Sequence, residues 1–160
     1  MDIQLALPQD IPRIAKLFRS VVEKLDYYSP KAIKNELIKY TEGELAKKQK
    51  DDPYSIILAK DEADEIVGFC FSRMDDSLVW LEWFGVSEKA RHKGIARGLV
   101  RYLENTLKAR DAHKVWCDCR TSNLKSANLL SSSGYLPLCT VKNHWYGQDF
   151  ILWQKEPIQP

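Results

Sequence analysis

The chain has 160 residues, 44% of them hydrophobic and 29% charged, with a formal net charge of +2. That length suits one domain, residues 1–160, able to bury roughly 70% of the surface its unfolded chain would expose, so it needs no stapling. The near-neutral balance argues against nucleic acid as a partner, and no apolar run is long enough to span a membrane.

The opening "MDIQLALPQD" has no basic leader and no long apolar core, so it reads as neither signal nor anchor, and a cytoplasmic location is expected. "IQLAL" predicts a first strand stopped by Pro8. "QDIPRIAKLFRSVVEKL" predicts a helix capped by Asp10, with Ile11, Ile14, Phe18, Val22 and Leu25 among the residues of a broad apolar face. A second helix is expected over "SPKAIKNELIKYTEGEL", where Ser29 caps, Pro30 takes the first helical position and Gly43 weakens the last turn. The charge run "AKKQKDD" reads as a solvated helix end or loop.

Beyond Pro53, "YSIILAK" and "IVGFCFSRM" predict an antiparallel hairpin around the turn "DEADE". "SLVWLEWFGV" predicts a third strand, apolar enough to be covered on both faces. Residues 94–110 predict a helix whose Ile95, Leu99, Leu103 and Leu107 form one stripe. "HKVWCDC" follows as a strand, "NLKSANLLSSSG" as a short helix ending at Gly134, and a last pair of strands flanks His144 to Gln148. The order βααβββαβαββ implies a mixed α/β layer fold around one central sheet. The four cysteines, 70, 117, 119 and 139, lack the CxxC spacing of a zinc site and read as buried reduced thiols, with Cys117 and Cys119 on one strand face; no metal is expected.

The stretch "VSEKARHKGIARGLV" places Arg91, Lys93 and Gly94 where the central helix begins. A helix N-terminus offers unsatisfied N–H groups to an anion, and glycine lets backbone approach a ligand closely. The spacing excludes a P-loop, in which the lysine follows the second glycine, and a dinucleotide fingerprint, which needs three glycines. On the residues alone, an anion site and a structural strand-to-helix turn both stand.

The same stretch resembles the coenzyme A signature of the GCN5-related N-acetyltransferases (GNAT), V-x-x-x-x-[RQ]-x-x-G-x-[GA], through Val86, Arg91, Gly94 and Ala96. "LALPQDIPRIAKLF" is similar to that family's first strand and helix, "LVWLEWFGV" to its fourth strand, and "TSNLKSANLLSSSGYLPL" to a later segment through Asn123, Gly134 and Tyr135. The resemblance implies a GNAT-type mixed sheet of about seven strands with helices on both faces, splayed after a bulged fourth strand. It further implies acetyl-CoA as co-substrate. The backbone of Phe84, Gly85 and Val86 would hold pantetheine, the N–H groups of Arg91, His92, Lys93, Gly94, Ile95 and Ala96 the pyrophosphate, and Asn123 the pantetheine arm. Gly85 also suits a bulge on physical grounds.

Acetyl transfer to an amine needs a base for the ammonium proton, a polarised carbonyl and a proton for the departing thiolate. Glu82, an acid inside an apolar run, and Asp118, five residues before Asn123, are the candidate bases, each with a structural alternative. Asp118 matches the acidic position of the ribosomal-protein alanine N-acetyltransferases. The tyrosine that the family carries seven residues after its asparagine falls on Leu130 here. Ser131, Ser132, Tyr135 and Tyr146 are the substitutes, of which Tyr135 is the candidate catalytic acid. Arg97 and Arg101 either reach the 3′-phosphate or form a solvated face, and His113 and His144 read as surface residues. Tyr27, Tyr28, Tyr40, His144, Trp145 and Tyr146 either wall the acceptor site or serve as core, and Glu36, Glu42 and Glu44 either attract a cationic acceptor or face solvent.

These readings converge on an N-acetyltransferase in which a small-molecule or protein amine attacks acetyl-CoA directly in a ternary complex. The rival is a non-catalytic module that binds or senses acyl-CoA, supported by Leu130. A homodimer is expected from the resemblance alone.

Overall fold

The computed structural model describes residues 1–156. Seven strands, β1 (Asp2–Leu5), β2 (Ile56–Lys60), β3 (Ile66–Asp75), β4 (Leu78–Val86), β5 (Lys114–Arg120), β6 (Leu136–Val141) and β7 (Phe150–Lys155), form one sheet in the order β1-β2-β3-β4-β5-β7-β6. All neighbours are antiparallel except β4 and β5. A parallel pair needs a crossover, and α4 (Ile95–Thr106) supplies it. Four further helices are α1 (Ile11–Val22), α2 (Pro30–Lys39), α3 (Glu42–Asp51) and α5 (Leu124–Ser132).

The two faces of the sheet carry separate cores. On one, the α4 stripe Ile95, Leu99, Leu103 and Leu107 packs on Ile57, Cys70, Val79 and Leu81. On the other, Ile11, Ile14, Phe18 and Val22 of α1 pack on Ile56, Leu58, Phe69 and Phe71. Helices therefore lie on both faces, as expected. Phe18 is the hub of the second core, with its ring 5.0–5.6 Å from those of Tyr40, Phe69, Phe71 and Trp83, and its truncation to alanine would cost about 3–5 kcal/mol.

Three sequence expectations shift. The single helix over residues 29–45 is two helices, because Thr41 takes an extended conformation and caps a new one with Oγ1 accepting from Glu44 N at 3.3 Å. Gly43 therefore lies in a first turn, and most of the charge run is helical, as the second half of α3. Asp10 does not cap α1: it closes the preceding turn by accepting from Leu7 N at 3.0 Å and pairs with Lys60 at 3.5 Å. β4 is not covered on both faces, since Trp80, Glu82, Trp83 and Phe84 are only half-buried.

That exposure follows from two irregularities. Phe71 pairs with Trp83 but Ser72 pairs with Leu81, which leaves Glu82 as the extra residue of a β-bulge. The bulge is thus at Glu82, three residues before Gly85. Glycine is needed at 85 for another reason: a Cβ there would sit 2.5 Å from the Phe69 ring. On the other edge, β4 pairs with β5 only from Leu78–Lys114 to Leu81–Cys117, while β5 keeps its pairing with β7 through Arg120, so Asp118 to Arg120 have a strand partner on that side alone. The two parallel strands part at the bulge, and the gap opens between Glu82–Val86 and Asp118–Arg120.

Candidate active site

Free backbone N–H groups and basic side chains gather at the mouth of α4. Gly94 is left-handed at φ 76°, a Cβ there would meet nothing within 4 Å, and His92 is left-handed at φ 64°. The first bond of the helix runs from Gly98 N to Gly94 O at 3.0 Å, so the preceding N–H groups have no intrahelical acceptor. Arg91, His92 and Lys93 are exposed beside them. The Arg91 N–H differs from the rest, being turned toward Glu88 O at 3.4 Å. Ile95 is buried in the core, so it can offer a ligand only its backbone, while Ala96 leaves clearance beside it.

A cleft of about 440 Å³ fills the gap between the parted strands. Phe84 lines it from β4, and Gly85 and Val86 continue the same strand toward the helix mouth. Asn123 lines it from the N-cap of α5, where its Oδ1 accepts from Ser126 N at 3.2 Å and its Nδ2 donates to the Tyr27 hydroxyl at 3.2 Å. Tyr27, Tyr28, Tyr40, Trp145 and Tyr146 all line the cleft, whereas His144 does not, its ring lying tilted 4.4 Å from that of Trp145. Glu36 lines it too, with its carboxylate taken up by Lys39 at 3.0 Å and Trp83 Nε1 at 3.1 Å. Glu44 borders a smaller neighbouring hollow, and Glu42 is exposed in the first turn of α3.

Both candidate bases reach the cleft, in different states. Glu82 is an ion-pair member, with Oε2 2.6 Å from Lys48 Nζ and Oε1 3.4 Å from Arg73 Nη1. Asp118 forms no ion pair among the described residues. Burial pushes its carboxyl above the usual carboxylate range, opposed by a hydrogen bond from Trp145 and by the charges of His144, Arg120 and Arg73. A carboxylate that is costly to keep charged and has no cation in contact holds a proton readily.

The nucleophile and acid candidates divide just as clearly. Cys117 and Cys119 border the cleft along β5, but their side chains pack in the α4 core, burial raises both thiols, and Trp153 Nε1 donates to Cys119 Sγ at 3.3 Å. A thiol kept protonated is a poor nucleophile. Cys70 is buried as well, while Cys139 is exposed, against the expectation of four buried thiols. Tyr135 is not in the cleft. Tyr135 is 2% exposed in the α4 core, Lys155 Nζ lies 5.6 Å from its ring, and its hydroxyl is buried beside the Glu104 carboxylate. Leu130 belongs to that core too. Ser132 already donates to Leu129 O at 3.0 Å and accepts from Arg97 at 2.9 Å, which ties α4 to α5. Ser131 and Arg101 are exposed, and His113 stands at the start of β5, its N–H bound to Ser77 O.

The sequence reading missed Arg120, Arg73, Trp80 and Ser126, all of which line the cleft. Arg120 was accessible to strand alternation, since it shares a face with Asp118 two residues away. Among the described residues no cluster of three or more His, Cys, Asp or Glu could hold a metal ion, and no helix is long and apolar enough to cross a membrane.

No curated protein matches the sequence. Solved structures share the fold at low identity. The PaiA N-acetyltransferase of Thermoplasma acidophilum, in complex with coenzyme A, superposes with a TM-score of 0.81 at 16% identity, covering 97% of this chain and 98% of that one. A ribosomal-protein-alanine N-acetyltransferase of Brucella melitensis gives 0.78 at 20% identity over 98% and 99%. YncA of Salmonella typhimurium, with acetyl-CoA, gives 0.76 at 16% over 100% and 95%. The family model described as Acetyltransferase (GNAT) family matches residues 21–135. With strands parting at a bulge, a glycine-led helix mouth and this match in agreement, the chain belongs to the GNAT acetyltransferase family.

Proposed function

We propose that the protein is an N-acetyltransferase that moves an acetyl group from acetyl-CoA to a primary amine by direct attack. The observation that carries this reading is the placement of Asp118, a partly buried carboxyl without an ion-pair partner, in the cleft between the parted strands.

The residues present fit coenzyme A. The left-handed His92 and Gly94 turn free N–H groups outward beside Arg91 and Lys93, an arrangement suited to a pyrophosphate. The edge of β4 from Glu82 to Val86 has no partner strand on the cleft side, so its N–H and C=O groups are available to the amide-bearing pantetheine arm. Asn123 stands across the gap, its amide fixed by Ser126. When bound, the co-substrate supplies an acetyl thioester whose thiol, with a pKa of roughly 8.5, is a fair leaving group.

Asp118 takes the proton of the acceptor ammonium, directly or through a water, and frees the nitrogen lone pair. A backbone N–H at the bulge polarises the carbonyl. Glu82 holds the bulge by fastening β4 to Lys48 of α3 and to Arg73 of β3. The raised thiols of Cys117 and Cys119 argue for direct attack over a covalent acetyl-enzyme.

The alternative is an acyl-CoA-binding or sensing module, and the burial of Tyr135 favours it by removing one donor for the leaving sulfur. Calorimetric titration with acetyl-CoA, followed by thiol-release assays over an amine and peptide panel, separates the two. Binding with release on any amine supports the enzyme, and binding with none supports the sensor.

A further inference from the structure

Arg120 is 4% exposed, yet no carboxylate pairs with it among the described residues. A guanidinium is never deprotonated in a protein, so burying one without a counter-charge is expensive. Its neighbours fix it without neutralising it. Nε donates to Gln148 Oε1, the Tyr28 ring lies 3.4 Å from the guanidinium carbon, and the Phe150 ring lies 5.0 Å away. Gln148 is itself anchored, its Nε2 donating to Tyr27 O at 3.3 Å. The plane of the guanidinium is therefore set by aromatic rings and one amide. Apart from the Tyr28 hydroxyl beside it, no side chain of the described residues takes its Nη1 and Nη2 donors.

Arg120 lines the same cleft as Asp118. The two occupy alternate positions of β5, whose buried residues Val115, Cys117 and Cys119 point the other way, toward α4. Side chains at alternate strand positions share a face and start roughly 7 Å apart. An ammonium held at Asp118 then leaves room for a carboxylate, a bond or two further along the acceptor, against the open end of the Arg120 fork. A fork held in plane is suited to taking a carboxylate with two parallel hydrogen bonds.

We propose that the acceptor is a free α-amino acid, or an amine with a carboxylate equally close, and that Arg120 is the residue that selects it. This rests on the acetyl-transfer reading and narrows its substrate class. The acceptor lies with its ammonium on Asp118 and its carboxylate on Arg120, and its side chain extends toward Trp80 and Trp145. Asp118 receives the first ammonium proton, the nitrogen forms the new bond to the acetyl carbon as the carbon–sulfur bond breaks, the nitrogen gives up its second proton to solvent, and the departing thiolate takes a proton from solvent.

The test uses the whole chain with substrates in matched pairs. Small, apolar, aromatic and basic α-amino acids are compared with their carboxamides in thiol release from acetyl-CoA, and by calorimetric titration into the coenzyme A-loaded protein. The proposal expects at least one free amino acid to exceed its amide by roughly 10- to 100-fold in kcat/KM or in affinity, the range for losing a charge-assisted pair. It also expects the preference to collapse in Arg120→Gln. Because that variant could misfold, the wild-type comparison stands alone as a test. Equal use of acid and amide, or turnover confined to peptides, overturns the proposal and leaves acetyl transfer intact. Thiol release with no amine overturns the acetyl-transfer reading, and unless the calorimetry still separates acid from amide it overturns this one too.

Discussion

Lys48 Nζ lies 2.6 Å from Glu82 Oε2, so the acid at the bulge of β4 is tied to α3, while Asp118 across the gap has no such cation. Two carboxyl groups in one cleft thus have different work. On the proposed reading, one holds the shape of the strand and the other exchanges a proton.

Substitution separates those roles. Asp118→Asn is expected to lower kcat by roughly 10²- to 10⁴-fold, the usual contribution of a positioned base, with little change in acetyl-CoA affinity. Glu82→Gln is expected to lose less rate and more stability, because it leaves the mostly buried Lys48 without its partner. The wild-type rate should fall on the acid side through a value above the ordinary aspartate pKa of about 3.9, and that limb should vanish in Asp118→Asn. Steady-state kinetics across pH, with thermal melts of each variant, check all three.

Asp118 also makes a stability prediction. Its carboxyl is raised in the folded state, so between the unfolded and folded pKa values the native chain binds more protons than the unfolded one. Stability then falls as pH rises through that window, and the penalty is fully present above it. Asp118→Asn removes the penalty. The variant should melt above wild type at pH 7, and the difference should disappear below the ordinary aspartate range. Denaturant titrations at both pH values measure it.

At the helix mouth, Gly94→Asp should fold, since a Cβ there meets nothing within 4 Å and the left-handed conformation costs about 1–2 kcal/mol in a side-chain-bearing residue. It should nonetheless weaken acetyl-CoA binding at least 10-fold, because a carboxylate faces the expected pyrophosphate. Gly94→Ala, with the same backbone cost and no charge, should lose less. Calorimetry on the pair separates charge from conformation.

Tyr135→Phe should change the rate by less than about twofold, because the hydroxyl is buried in the α4 core, beside Glu104 and outside the cleft. A large loss of kcat in this variant would restore Tyr135 as the acid.

Periodicity made much of this legible. The α4 stripe, the hairpin of β2 and β3, and Ser29 as the cap of α2 all follow from local spacing. The glycine that opens α4 is legible too, as the left-handed N-cap before the apolar stripe. What stayed hidden depends on pairing at a distance. The bulge at Glu82 is a property of the register between β3 and β4, and nothing in "LVWLEWFGV" says which residue is the extra one. Tyr135 stands as a candidate acid through the segment that resembles the family's, but this residue, just before β6, packs its ring into the α4 core. Arg120 went unread because the rings of Tyr28 and Phe150, distant in sequence, are what enclose it.

The central claim is that this cleft transfers acetyl groups with Asp118 as the base. Its most direct measurement is thiol release from acetyl-CoA by wild type and by Asp118→Asn over one panel of amines and peptides, with coenzyme affinity measured in parallel. The account predicts turnover on at least one acceptor, reduced at least 100-fold in the variant with acetyl-CoA affinity unchanged. Tight acetyl-CoA binding by both proteins with no thiol release on any acceptor would contradict it and leave a binding module in its place.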